Sequence, residues 1–346
     1  MADYELCDHA RVPDLVAQFV ELSNVGFAEY EGGVQFDEDW SAWYLQRPGT
    51  DPRLCQAALS GEQMVSNVLV AVQPLQIGGD LLTCGIIDSV TTRPDHRRRG
   101  LARALMERAH EAMQQVTGGR CGGGRSGCEA DAVDAAVLYT DPAGHPYQFY
   151  QRLGYETRAQ ASLLTGPRPQ VDQEPLEPAP PEDAGQPLFD LLNEFFSEHE
   201  GYSPMDSRLW RWHKCERVAA NPVAVVVEET GGVPVATATF AEAELLLAGE
   251  RPPVSIAYDV VAKELSADRL ARLLAAAPRE QVAMILDRES AEHRLAVEVG
   301  LEPRVGEVSM ILPFSERARA ALTRQRVGRA SSPTPWYPMI ESIIGV

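Results

Sequence analysis

Positive charge is scarce in this sequence, and lysine is almost missing. The 346 residues hold 50 acidic side chains against 31 Lys and Arg, a formal net charge of −19, and only Lys214 and Lys263 are lysines. A general nucleic-acid-binding protein needs a basic face that displaces counterions from phosphates, and anionic membrane surfaces attract the same kind of face. The sequence therefore predicts that neither nucleic acid nor a membrane is a partner.

Long apolar runs and a cysteine framework are missing as well. No apolar run approaches the roughly 20 residues that a membrane-spanning helix needs, and Asp3, Glu5 and Asp8 make the start unlike a secretory or transit peptide. The six cysteines are scattered, and Cys121 and Cys128 lack the second Cys/His pair that a zinc site requires. We therefore expect a cytoplasmic protein with reduced thiols and no metal.

The sequence does contain the material for two ordinary globular domains of roughly 170 residues each. Apolar residues make up 45% of the chain and charged residues 23%, which is enough for buried cores. Both halves show a helix, three strands, a helix, a strand, a helix and a strand, and the tetrapeptide at 299–302 echoes that at 153–156. This order predicts an α/β (α+β) fold, in which each domain has a mixed, mostly antiparallel sheet flanked by helices.

A proline-rich stretch separates the two predicted domains. Seven prolines lie among acidic residues between Gly166 and Pro187, a composition typical of a linker that can also add an edge strand. We therefore predict an N-terminal domain over 1–166, a linker over 167–187 and a C-terminal domain over 188–346.

The most informative stretch is a basic turn that follows the third strand of the first half. The strand predicted over Leu81–Thr92 runs into this turn, and a helix begins near Leu101. Six arginines between Arg93 and Arg108 face only two acids, a local charge of +4. Helix N-termini present free N–H groups and the positive end of the dipole, and Gly100 leaves the backbone approachable. An anion-binding turn and a solvated basic turn fit this stretch equally well.

A second motif favours the first of these interpretations. The pattern Arg97-x-x-Gly100-x-Ala102 after a strand is followed, one strand and one helix later, by Phe-Tyr-x-x-Leu-Gly-Tyr at 149–155. The pair resembles the GNAT acetyltransferase superfamily, whose pyrophosphate loop reads Gln/Arg-x-x-Gly-x-Gly/Ala. The resemblance covers roughly Tyr4–Gly166.

The resemblance implies that acetyl-CoA is the cofactor and that six residues form its pyrophosphate loop: Arg97, Arg98, Arg99, Gly100, Leu101 and Ala102. The backbone near Val90 and Thr92 would hold the pantetheine arm and the thioester carbonyl. An amine would attack the thioester directly while a strand N–H stabilises the oxyanion. Tyr150 would protonate the departing thiolate, since a phenol and a thiol have similar pKa values; the alternative is an aromatic ring packed beneath the cofactor.

Several residues are candidates for the general base. Asp88 lies at an otherwise apolar position of the third strand and is the first candidate, although a buried Asp can also be satisfied structurally by backbone N–H groups. Glu29 and Glu31, in an acidic loop, and His145 are the alternatives.

The same acidic loop, Phe27–Trp43, is the predicted acceptor wall. Carboxylates beside aromatic faces suit a cationic amine, so Glu29, Glu31 and Trp40 are the candidate substrate-binding residues. The alternative is a solvated loop with Trp40 and Trp43 on an amphipathic helix.

Two further stretches are predicted to carry no chemistry. The segment 119–126 resembles a P-loop, but it follows a helix instead of a strand, so we interpret the Gly- and Cys-rich stretch 116–134 as a flexible insert. The second half has no Arg-x-x-Gly turn, and Ala296 stands where the first half has Tyr150, so the second domain is predicted to be degenerate and silent. Trp336–Val346 is apolar enough to dock on the rest of the chain.

The sequence as a whole predicts an N-acetyltransferase that acts on a primary amine of a small molecule, as a monomer or homodimer. The alternatives are a non-catalytic acyl-CoA-binding or regulatory protein and an acetyltransferase for a protein amine.

Overall fold

The computed structural model describes residues 4–28, 30, 33–115, 132–174, 176–217, 222–329 and 334–339. The chain divides into two compact units. The first comprises Met1–Tyr30, Gln35–Leu138 and Ile311–Arg324; the second comprises Glu31–Val34, Tyr139–Met310 and Gln325–Val346. None of the helices in the described ranges combines the length and the apolar character that crossing a bilayer requires.

The sheet of the first unit is antiparallel except at one end. Its strands are β1 (Glu5–Asp8), β2 (Gln56–Ser60), β3 (Gln63–Ile77), β4 (Asp80–Thr92) and β5 (Ala135–Thr140), of which the last two residues belong to the second unit. They lie in the order β1-β2-β3-β4-β5, and only β4 and β5 are parallel. The helices of this unit are α1 (Leu15–Gly26), α2 (Glu38–Tyr44) and α3 (Leu101–Gln115).

A β-bulge distorts β4 near its end. Asn67 of β3 is opposite Thr91 and Leu69 is opposite Asp88, so β4 has one more residue than β3 between these pairs. Ser89, inside the bulge, has a φ of 50°, a left-handed conformation that side chains other than Gly rarely adopt. The ladder between β4 and β5 covers only Cys84–Ile86, so β4 runs on past it as far as Thr92.

The second unit has its own mostly antiparallel sheet, in the order β12-β6-β11-β10-β9-β8-β7. Its strands are β6 (Glu156–Pro167), β7 (Pro178–Ala179), β8 (Val223–Thr230), β9 (Val233–Glu244), β10 (Pro253–Ala262), β11 (Gln281–Asp287) and β12 (Glu302–Pro313, here as far as Met310). The pair β10 and β11 is parallel. Its helices are α4 (His145–Arg152), α5 (Gln186–Phe195), α6 (Ser207–Trp210), α7 (Ala267–Ala275) and α8 (Ala291–Glu298); α9 (Glu316–Arg329) starts in the first unit.

The strand registers of the two units repeat. The pairings of β2 with β3 recur 170 positions later between β8 and β9, and those of β3 with β4 from Ser66–Thr92 to Pro74–Thr83 recur between β9 and β10. Gln56 opposite Val68 becomes Val226 opposite Ala238, and the bulge at Ser89 recurs at Asp259, whose φ is 48°. In the same way α8 and β12 follow α4 and β6 by 146 positions. The predicted repeat of one element order is confirmed, whereas the boundaries at 166 and 187 stay predictions.

Most predicted elements are found where the patterns placed them. The mixed, mostly antiparallel α/β fold is confirmed, and so is the edge strand in the proline-rich stretch, because β7 pairs with β8. One pairing was not expected: β6, predicted as the last strand of the first domain, pairs with β11 of the second unit. The acidic aromatic loop contains α2, so Trp40 and Trp43 do lie on a helix.

Candidate functional site

The turn between β4 and α3 presents a row of backbone N–H groups. Arg98 and Gly100 both have positive φ, of 63° and 81°, so the backbone turns just before α3. Gly100 directly precedes α3, and its carbonyl accepts from the N–H of Ala104 at 3.0 Å. Within the described ranges, no backbone N–H from Arg98 to Arg103 donates a hydrogen bond. These donors and the helix dipole together suit a diphosphate.

The arginines of the turn divide into those that brace it and one that points away. Arg97 Nε donates to the carbonyl of Thr92 at 3.1 Å, and Arg99 donates to the hydroxyl of Tyr4 at 2.6 Å and to the carbonyl of Asp95 at 2.9 Å. Arg98 is exposed and contacts no other charged or polar side chain in the described part of the chain. The turn is therefore fixed by Arg97 and Arg99, while the guanidinium of Arg98 stays in solvent.

Close packing of α3 on the sheet holds this N-terminus in place. Leu101, Leu105 and Met106 of α3 are buried, and a side chain at Gly85 of β4 would collide with Met113 Sδ. The helix therefore lies close to the strand that leads into the turn.

The corresponding turn of the second unit is shorter, and a side chain caps the helix that follows it. It comprises only residues 263–266, whereas the first unit has residues 93–100 between strand and helix. Ser266 caps α7, because its Oγ accepts from the N–H of Arg269 at 3.3 Å. An N-terminus that is already capped by its own chain is a poorer anion site.

Asp88, the first candidate for the general base, lies in a buried ion pair. Its Oδ2 accepts from Arg47 Nη1 at 2.9 Å and from the hydroxyl of Tyr44 at 3.1 Å, and Arg47 is only 1% exposed. A guanidinium beside a carboxylate favours the ionised form of the carboxylate, and this makes the carboxylate a weaker base. Sequence reasoning missed Arg47 and Tyr44.

Trp40, the described member of the predicted acceptor wall, is packed on α2. Asp37 caps this helix through the N–H of Trp40, and the indole stacks on Tyr44 with ring centroids 4.6 Å apart and on Phe36 at 4.5 Å. The indole Nε1 is buried and has no hydrogen-bond partner among the described residues. The other wall candidates, Glu29 and Glu31, lie outside the described residues, as does most of the Gly-rich insert with its P-loop-like segment.

Tyr150 lies in the second unit, on α4, and is 6% exposed. Its ring contacts Phe149 and Tyr155, with centroids 5.2 and 5.9 Å away, and its carbonyl accepts from the N–H of Tyr155 at 3.1 Å. His145, an alternative base, is the exposed first residue of the same helix. Ala296 is the fully buried counterpart of Tyr150 in α8.

In the second unit, the C-terminal segment occupies the end of β10 and β11. The backbone N–H of Trp336 donates to Asp287 at 2.6 Å, and the hydroxyl of Tyr337 donates to Asp259 at 2.8 Å. Asp259 is also paired with the buried Lys214 at 2.8 Å. The cavity beside these residues measures about 40 Å³, which is room for a few waters and no more.

Comparisons with known proteins agree with this arrangement. Residues 13–118 match the family model of the acetyltransferase (GNAT) domain. The chain is also similar to the structure of a GCN5-related N-acetyltransferase from Anabaena variabilis, with 16% identity and a TM-score of 0.60 over 89% of this chain and 72% of that one. A conserved protein of unknown function from Enterococcus faecalis, described as a probable N-acyltransferase, gives 15% identity and a TM-score of 0.60 over 90% and 72%. No curated protein matches the sequence significantly. These matches agree with the resemblance predicted from the motifs: residues 13–118 match the model of the GNAT acetyltransferase domain, and the chain shares the fold of the two solved structures.

Proposed function

We propose that this protein is an N-acetyltransferase that transfers an acetyl group from acetyl-CoA to a primary amine of a small molecule. One observation carries the proposal: the N–H groups from Arg98 to Arg103 form a ready anion site where the Arg97-x-x-Gly100-x-Ala102 motif stands. The GNAT family match supports acyl transfer in general; the donor and acceptor are our inference.

The residues of the turn and those of β4 suit two neighbouring parts of acetyl-CoA. The pyrophosphate would lie against the backbone of Arg98–Ala102, with Arg97 and Arg99 holding the turn in shape. The bulged end of β4, near Val90 and Thr92, would take the pantetheine arm, since the ladder with β5 has ended at Ile86. When bound, acetyl-CoA supplies the thioester that the amine attacks.

Two side chains are proposed for proton transfer. Tyr150 would protonate the departing thiolate, and its burial against Phe149 and Tyr155 supports a fixed hydroxyl position. Asp88 remains the proposed base. The guanidinium of Arg47 favours the ionised form of this carboxylate, which is the form that accepts a proton. Glu29 and Glu31 stay the alternatives.

A cationic acceptor suits the charge of the chain. The net charge of −19 attracts amines over long range, and Trp40, Glu29 and Glu31 are the proposed binding residues. We expect no nucleic acid, membrane or metal to take part. The protein would act in the cytoplasm as a monomer or homodimer, with the second domain degenerate.

Thermal unfolding with and without acetyl-CoA tests the donor. A ligand at about a hundredfold its Kd should stabilise the native protein by about 2.7 kcal/mol. If millimolar acetyl-CoA leaves the Tm unchanged, the proposal fails and only the fold remains.

A second assay tests the acceptor. Release of CoA thiol is measured with a panel of small primary amines and with peptides that carry a free N-terminus or a lysine. Turnover with the small amines alone supports the proposal, and turnover with peptides alone favours a protein acceptor. Tight acetyl-CoA binding without turnover on any amine favours a non-catalytic acyl-CoA-binding protein.

A further inference from the structure

The left-handed residue in the β4 bulge is held by a chain of buried side chains. Asn67 Nδ2 donates to the carbonyl of Ser89 at 2.9 Å, and His9 Nε2 lies 2.6 Å from Asn67 Oδ1. Asn67 is fully buried and His9 is 3% exposed. A left-handed residue other than Gly persists only when its surroundings hold it there, and this chain of side chains does so.

The Ser89 carbonyl determines which group donates and which accepts in both of these hydrogen bonds. The Ser89 carbonyl can only accept, so the amide nitrogen of Asn67 must face it and the amide oxygen must face His9. His9 therefore carries its hydrogen on Nε2. Burial lowers the pKa of His9 to about 4, so this single donor is present on a neutral ring at physiological pH.

The segment just before β2 anchors His9 in turn. The backbone N–H of His9 donates to the carbonyls of Pro52 and Cys55, both at 3.1 Å. The bulge is thus fixed from the side of β3 and of the segment after β1. None of these groups comes from the β5 side of β4.

The second unit holds its equivalent bulge in a different way. At the position of Asn67 it has Thr237, whose hydroxyl donates to Val226 of the neighbouring strand at 2.8 Å. At the position of Ser89 it has Asp259, which is bound by Lys214 and by Tyr337 of the C-terminal segment. Among the described residues, a side-chain amide from the adjacent strand holds the bulge in the first unit alone. The first unit is also the one with the proposed anion-binding turn.

We propose that His9 and Asn67 are positioning residues: through the Ser89 carbonyl they set the path of β4 at Val90–Thr92, the backbone that takes the acyl-pantetheine arm. This inference rests on the proposed function. The two residues do not touch the donor themselves. A displaced bulge weakens the hold on the pantetheine arm and leaves the diphosphate turn intact, because the turn is braced separately by Arg97 and Arg99.

The test compares two ligands on the full-length chain by calorimetry. Coenzyme A carries the pantetheine arm, whereas its fragment 3′-phosphoadenosine 5′-diphosphate carries only the groups that meet the turn. For Asn67→Leu we expect the Kd of coenzyme A to rise about tenfold or more and that of the fragment to stay within about twofold. Thr237→Val, which removes a buried side-chain hydrogen bond at the same register position of the second unit, is the matched control and should change neither value.

Two further variants keep the test decisive if Asn67→Leu folds poorly. Glycine adopts positive φ at no steric cost, so adding Ser89→Gly to Asn67→Leu should restore coenzyme A affinity. His9→Gln keeps an amide donor and should bind coenzyme A nearly as tightly as the parent, whereas His9→Leu should not.

Three outcomes would overturn the inference. The first is a folded Asn67→Leu variant that binds coenzyme A like the parent. The second is a parallel loss of both ligands, which would reduce Asn67 to a general structural role. The third is a parent chain that binds neither ligand, which would remove the proposed function and this inference with it.

Discussion

Replacing Gly100 with aspartate should abolish donor binding without unfolding the protein. Gly100 has a φ of 81° and nothing within 4 Å of where a Cβ would stand. A side chain therefore fits in space and meets only backbone strain, which costs about 1–2 kcal/mol at positive φ. The negative charge at the N-terminus of α3 returns about 0.3–1 kcal/mol through the helix dipole. The net loss of stability should be about 1 kcal/mol.

The effect on the ligand should be far larger. The new carboxylate lies among the N–H groups of Arg98–Arg103, where it repels a diphosphate and competes for its donors. A hydrogen bond to a charged group contributes about 1.5–3 kcal/mol, so losing two of them weakens acetyl-CoA binding by at least about a hundredfold. Calorimetry with acetyl-CoA measures this loss, and chemical denaturation measures the accompanying change in stability.

Gly61→Asp supplies the matched control. Gly61, in the turn between β2 and β3, also has positive φ, 63°, and open space at its Cβ, so the substitution brings the same strain and charge away from the turn. Gly100→Ala adds the strain alone. If Gly100→Asp binds acetyl-CoA as tightly as Gly61→Asp, the diphosphate does not lie at this turn and the reasoning fails.

Three other substitutions test the remaining parts of the site and the fold. Tyr150→Phe keeps the ring packing and should lower kcat about a hundredfold while the Kd of acetyl-CoA stays unchanged; an equal loss of affinity would make Tyr150 a packing residue. Arg47→Met removes the guanidinium from the buried Asp88 carboxylate and should cost about 3–5 kcal/mol in urea denaturation, most of which the double variant with Asp88→Leu should recover; no recovery would contradict the ion pair. Burial lowers the pKa of His110 in the folded protein to about 4. Between pH 6.5, the ordinary pKa of histidine, and pH 4, this side chain is therefore protonated in the unfolded chain but neutral in the folded one. The free energy of unfolding should fall by up to about 3 kcal/mol for this residue over that range. His110→Phe should flatten that decline, and an unchanged pH profile would rule the residue out as its source.

Local patterns were sufficient for most of the elements and for the position of the turn between β4 and α3. The helix at Leu101–Gln115 and the strand at Ala135–Thr140 have the bounds that the periodicity predicted, because each is a continuous amphipathic or buried run between clear breakers. The turn was found because its donors come from consecutive residues, so a motif such as Arg97-x-x-Gly100 describes it fully.

Contacts between distant residues left no such signal. Arg47 meets Asp88 across 41 positions, and His9 meets Asn67 across 58. Nothing in the local sequence around Arg47, which precedes a Pro-Gly turn, marks it as a buried ion-pair partner. Asn67 occupies one position of a long buried strand, where the pattern of apolar neighbours says nothing about its hydrogen bonds.

The pairing of β6 was unpredictable for a related reason. β6 and β12 follow the two copies of the same helix and have nearly the same burial pattern, in which an exposed to half-buried first part is followed by four consecutive buried residues. Hydrophobic pattern fixes which face of a strand is buried, but it does not distinguish between two similar neighbours. The choice of β11 as partner of β6 is therefore a property of the folded chain that neither half encodes alone.

The same repeat bears on why we propose a donor site in one copy and none in the other. The registers of β2–β4 and β8–β10 agree from Gln56 to Pro74 and its partner Thr83, bulge included, so both units contain the same strand framework. The differences lie in the turn before the helix, which is shorter in the second copy and capped by Ser266, and at the strand ends, where Trp336 and Tyr337 fill the space. Turns contribute little to the buried core, so such changes can remove anion donors and space without a large loss of stability. We therefore expect the second copy to stay silent even where its bulge matches the first, and the site to depend on the turn at Gly100 together with the packing that holds Ser89.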